Sequence, residues 1–116
     1  MNNIQRTQKL HDAINYCIKS LGKNIGMTPI GCLLLEYEHK VGHIIDWGNF
    51  QWWKDLLDTD LTWTYSFGCG YDGKMKTDCK FPTKPIDPKA YGDRTLNDDA
   101  YELGKSFRQQ YWNVLC

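Results

Sequence analysis

A chain of 116 residues has room for one modest hydrophobic core. Its fourteen Lys and Arg balance fourteen Asp and Glu, so it lacks the dense positive field that binds phosphate backbones or anionic lipid without sequence preference. With 41% hydrophobic and 24% charged residues it lies far from the composition of disordered chains and should fold.

The opening residues Met1 to Lys9 carry no apolar run of the secretory kind, and the longest aliphatic stretch is Leu33-Leu34-Leu35. The expectation is a cytoplasmic protein with no membrane span. Five cysteines, an odd number with no Cys-x-x-Cys pair, read as reduced thiols. A secreted domain stripped of its leader would instead allow two disulfides and one leftover thiol.

Leu10, Ile14, Cys17, Ile18 and Leu21 recur at helical spacing and Gly22 follows them, which predicts a first helix over about 4–21. Thr28-Pro29 supplies a cap and a first-turn proline for a second helix over 29–46. Its stripe of Ile30, Leu33, Leu34, Tyr37, Val41, Ile44 and Ile45 falls within roughly 120° of arc at 100° per residue. Phe50, Trp53, Leu56 and Leu57 predict a short third helix over 49–57, closed by Asp58-Thr59-Asp60.

From Leu61 the period shortens to two. Leu61-Thr62-Trp63-Thr64-Tyr65-Ser66-Phe67 alternates large apolar with small hydroxyl residues and predicts a strand over 61–69. Met75, Thr77, Cys79 and Phe81, alternating with Lys74, Lys76, Asp78 and Lys80, predict its partner over 75–81. A three-residue loop Tyr71-Asp72-Gly73 sets Tyr65 opposite Cys79 and keeps the lysines off the aromatic face. In that register Cys69 and Cys79 are four residues out of alignment, beyond the roughly 4.4–6.8 Å Cα separation of a disulfide. Pro82, Pro85 and Pro88 make residues 82–94 an extended strap. Asn97, Asp98 and Asp99 open a last helix over 98–115. The predicted fold is an α+β single domain: three N-terminal helices, a two-stranded antiparallel hairpin, a Pro-rich strap and a C-terminal helix.

Two patterns carry chemistry. Cys32, Glu36, His39, His43 and Asp46, spaced 4, 3, 4 and 3, project within roughly 80° of each other on the back of the second helix. Each can ligate a metal, and His39 with His43 at i and i+4 could chelate zinc or another divalent ion. Lys40 stands where zinc proteases of the His-Glu-x-x-His type carry their glutamate. The same stripe also reads as a polar face meeting water. No nucleophile elbow and no phosphate loop occurs, so no catalytic residue is assigned.

The second pattern is aromatic crowding between Trp47 and Tyr71. Trp52 lies off the apolar face of its helix, and Trp47 and Tyr71 sit at element junctions, positions where exposed rings serve as binding hot spots. Packing beneath the strap is the other reading. With Lys74 and Lys76 these residues outline a partner-binding surface. The first functional expectation is a small, non-enzymatic protein without cofactor that binds and modulates another protein, in the manner of inhibitors, immunity proteins or accessory proteins of phages and mobile elements. The alternative is a metal-binding protein or metal-dependent enzyme built on Glu36, His39 and His43.

Overall fold

The structure is a computed structural model that describes residues 1–43, 56–81 and 95–116. These contain helices α1 (Asn3–Leu21), α2 (Pro29–Val41), α3 (Leu61–Tyr71) and α4 (Asp98–Leu115), with one 3-10 turn at Lys76–Asp78. No strand occurs among the described residues, so the predicted α+β class with its hairpin is corrected to an all-helical architecture. Positions 44–55 and 82–94 lie outside the described residues. They include the end of the predicted second helix, most of the third, and the strap. No helix among the described residues is long and apolar enough to cross a membrane.

The chain divides into two compact units, residues 1–48 with 111–116, and residues 49–110. In the first, α1 opens on a capping box in which Asn2 accepts from the Gln5 N–H and the Gln5 side chain accepts from the Asn2 N–H, both at 2.9 Å. It buries Leu10, Ala13, Ile14 and Cys17. Leu21, predicted on the same face, is 53% exposed at the last turn. Thr28 caps α2 by accepting the Gly31 N–H at 3.0 Å, with Pro29 in the first helical position. The first half of α2 is the more deeply covered: Pro29, Gly31, Cys32, Leu33 and Leu34 are buried, while Ile30 and Leu35 are half-buried. The helix then stops at Val41, short of the predicted end at 46, because Gly42 takes the left-handed conformation at φ 77° and returns its N–H to the Glu38 carbonyl.

The linker between α1 and α2 completes the unit by capping the C-terminal end of α4. A helix end leaves its last carbonyls without partners inside the helix. Here Asn24 and Gly26 donate their N–H groups to Val114 and Leu115 at 2.7 Å, and the Asn24 amide reaches the carbonyls of Asn113 at 3.1 Å and Cys116 at 2.7 Å.

The second unit contains residues 61–71, whose two-residue alternation folds as a helix and not as a strand. Asp60, taken from sequence as the close of a preceding helix, is the N-cap of α3 and accepts the Trp63 N–H at 3.1 Å. Once the segment is helical, its alternating residues sort into two rows at i, i+4 spacing. Thr62, Ser66 and Gly70 form a row of small residues, and Trp63, Phe67 and Tyr71 form an aromatic row beside it. Both rows are buried. The buried Ser66 hydroxyl is satisfied internally, since its Oγ donates to the Thr62 carbonyl at 2.7 Å and accepts the Asn97 N–H at 2.9 Å. Trp63 and Phe67 stack with centroids 5.6 Å apart, and Phe67 meets Phe107 of α4 edge-on at 5.4 Å. Removing a ring buried as fully as Phe67 costs about 3–5 kcal/mol in comparable cores.

The predicted second strand is also absent. Met75, assigned to its inward face, is 66% exposed, and the following residues form the 3-10 turn. Gly73 does adopt a left-handed φ of 78°, but as part of the turn that follows α3 and not of a hairpin loop.

Candidate functional site

The two predicted sites meet different fates. On α2, Cys32 is wholly buried against α1, where the Cys17 thiol reaches its carbonyl oxygen at 3.6 Å. Burial pushes the Cys32 thiol far up, with Cys17 next to it adding to the effect. A thiol held this firmly in its protonated form is a poor start for a metal ligand, which must be a thiolate. Glu36, two-thirds of the way along the helix, pairs with Lys40 at 3.4 Å. The exposed His39 is engaged through Nδ1 with the Tyr16 hydroxyl at 2.6 Å.

His43 lies beyond the left-handed Gly42, so the helical i, i+4 geometry proposed for the two histidines is lost. Glu38, His39, Gly42 and His43 instead line a shallow recess of about 440 Å³. Asp46 is outside the described residues. Among the described residues, no three His, Cys, Asp or Glu side chains are grouped to hold one ion.

Of the predicted partner-binding residues, Trp47 and Trp52 lie outside the described residues. Tyr71 is 1% exposed and belongs to the core. Lys74 and Lys76 are exposed on the segment after α3, where the structure is most specific.

Residues 72–80 form a surface turn tied down by α3 and α4. The Lys74 N–H returns to the Cys69 carbonyl at 3.0 Å, and the Lys74 carbonyl accepts the Tyr101 hydroxyl at 2.5 Å. Arg108 donates to the Tyr71 carbonyl at 2.7 Å, placing a cation at the negative end of α3. Lys76 reaches Asp98 at 3.1 Å and Glu102 at 3.6 Å and lies over the Tyr101 ring, 5.4 Å from its centroid. The hydrogen bond with Asp98, followed by the nearby Asp98 and Glu102 charges, raises the Lys76 ammonium above its usual range although the side chain is exposed. Exposed ion pairs of this kind add little stability, so the bonds from Tyr101 and Arg108 to the backbone hold the turn.

On this fixed backbone sits Met75, two-thirds exposed, between the exposed Lys74 and Lys76, with Lys80 exposed further along the same segment. Tyr101, Arg108 and Asp98 were not singled out by sequence for this role. The i, i+4 acidic pair Asp98 and Glu102 was the one visible signal of a cation partner.

No family model matches the chain, and no curated protein or solved structure is significantly similar to it.

Proposed function

We propose that this chain is a small non-enzymatic binding protein that docks on another protein through its 72–80 turn. The observation that carries this reading is Met75, 66% exposed on a backbone anchored by Tyr101 and Arg108. An unbranched thioether is an adaptable apolar contact, and a turn held in place before binding spends less ordering entropy on association. Lys74 precedes it and Lys80 is exposed five residues on, against the exposed Asp72 and Asp78, so the turn carries a small positive excess and suits a partner that is apolar at its centre and mildly acidic at its rim. The role would be that of an inhibitor, an immunity protein or an accessory protein of a phage or mobile element, and a cytoplasmic setting belongs to the same proposal. Trp47 and Trp52 extend the candidate surface on sequence grounds alone.

The test is affinity capture from an extract of the source cells with wild type, Met75→Asp and a Lys74→Glu/Lys80→Glu double variant. Because all three positions are exposed, the variants fold, and helical circular dichroism verifies it. The docking role predicts at least a tenfold loss of captured partner with each, about 1.4 kcal/mol or more. Equal capture by all three proteins contradicts it.

A further inference from the structure

We propose that Cys69 and Cys79 are a disulfide-forming thiol pair, a modification site that closes the 72–78 turn covalently onto the end of α3. The inference is independent of the docking role. Cys69 lies in the last turn of α3, 3% exposed, and its carbonyl holds the Lys74 N–H at 3.0 Å. After the 3-10 turn the chain runs back along the helix, because the Phe81 ring meets Tyr65, one turn before Cys69, at 4.9 Å. Cys79 falls between these two anchors. Its thiol donates to the Met75 carbonyl at 3.3 Å, which keeps it beside the end of α3, close enough for its sulfur to act on the Cys69 thiol. The misalignment expected from a hairpin disappears once residues 61–71 are helical.

Access separates this pair from the other cysteines. Cys17 and Cys32 are also neighbours, but both are fully buried, and Cys116 is exposed. Cys79 alone combines partial exposure with a thiol neighbour. Burial first, and the Cys79 sulfur second, push the Cys69 thiol up to about 12, so the more exposed Cys79 is the attacking sulfur.

The oxidant is a small-molecule disulfide such as oxidised glutathione. The Cys79 thiolate attacks one of its sulfurs, forming a mixed disulfide and expelling one glutathione thiolate. Cys69 then loses its proton and attacks the Cys79 sulfur, which expels the second glutathione thiolate. The two cysteine protons end on the two released thiols, and two electrons pass from the protein sulfurs to glutathione.

The test is equilibration of the folded full-length protein, in a Cys116→Ser background, across glutathione buffers of increasing oxidised fraction. Acid quenching, alkylation of remaining thiols and peptide mass spectrometry follow. The proposal predicts that Cys69 and Cys79 leave the alkylated pool together, with one midpoint, as a linked peptide pair two hydrogens lighter. In Cys79→Ser, a conservative change at a half-buried position, Cys69 stays reduced across the same buffers. In Cys69→Ser, Cys79 accumulates the glutathione adduct. Two results overturn the proposal: a stable glutathione adduct on Cys79 while Cys69 remains alkylatable in the parent protein, or oxidation of Cys69 in Cys79→Ser.

Discussion

Gly70 of α3 and Gly104 of α4 are each seated against the other helix's backbone. A Cβ on Gly70 would overlap the Tyr101 carbonyl oxygen and lie 3.0 Å from the Lys105 nitrogen, and one on Gly104 would overlap the Phe67 carbonyl oxygen and lie 2.9 Å from the Tyr71 nitrogen. The crossing is therefore made by main chain on main chain, and it places Tyr101 and Arg108 where they can hold the turn beyond α3.

This crossing predicts opposite effects for neighbouring glycines. Gly70→Ala gains helix propensity of about 1 kcal/mol but forces backbone apart, and overpacking costs about 1–3 kcal/mol or more, so the net effect is destabilising. At Gly68 a Cβ meets nothing within 4 Å, so Gly68→Ala stabilises by roughly 0.5–1 kcal/mol. Thermal midpoints of the two variants should move in opposite directions. A shared direction would remove the close approach.

Asn24 combines a left-handed φ of 58° with two side-chain bonds to the end of α4. Asn24→Gly keeps the conformation and loses the bonds, a cost of about 1–2 kcal/mol. Asn24→Ala loses both, which adds about 1 kcal/mol. Denaturant midpoints should rank wild type above Gly above Ala; Ala at least as stable as Gly contradicts the backbone argument.

The Tyr101 hydroxyl predicts a local effect. Tyr101→Phe removes the bond to the Lys74 carbonyl and costs roughly 0.5–1.5 kcal/mol. Amide exchange at Lys74 to Asp78 should accelerate while the centre of α3 is unchanged. Uniform acceleration would mean that the ring, and not the hydroxyl, does the holding.

Burial of thiols gives stability an alkaline limit. Burial raises Cys17, Cys32 and Cys69 from the ordinary 9.0, Cys69 to about 12. Above pH 9 the unfolded chain releases these protons while the fold retains them, so the unfolded state binds fewer protons and stability falls as pH rises. Each thiol contributes at most about 1.4 kcal/mol per pH unit. Urea midpoints from pH 8 to 11 should decline, less steeply in Cys69→Ala; an unchanged slope would show that Cys69 does not retain its proton in the fold.

The helices that sequence revealed are those whose information is local. Residues of α1 and α4 combine apolar spacing with nearby caps, Asn2 with Gln5 and Asn97 with the Ala100 N–H. The α3 segment defeats the same reasoning because Thr, Ser and aromatics in alternation satisfy a period of two as well as two helical rows. What decides between them is Gly104, thirty-four residues beyond Gly70, which turns the small row into a contact surface. Asp60 is an ordinary cap residue, but Asp58-Thr59-Asp60 has the composition of a helix end as much as of a helix start. The α2 polar stripe was visible, yet Cys17, which buries Cys32, and Tyr16, which takes His39, are remote in sequence. Met75 is exposed because it precedes a 3-10 turn and does not lie on a strand, which its alternation with lysines does not distinguish.

Helical residues 61–71, crossed by α4 at Gly70, underlie both the turn and the cysteine pair. Backbone chemical shifts and proton contacts by NMR address this directly. The account predicts helical Cα shifts from Leu61 through Tyr71 and a contact between the Gly70 α-protons and the Lys105 amide. Strand-type shifts over the same residues, with cross-strand contacts from Tyr65 to Cys79, would contradict it.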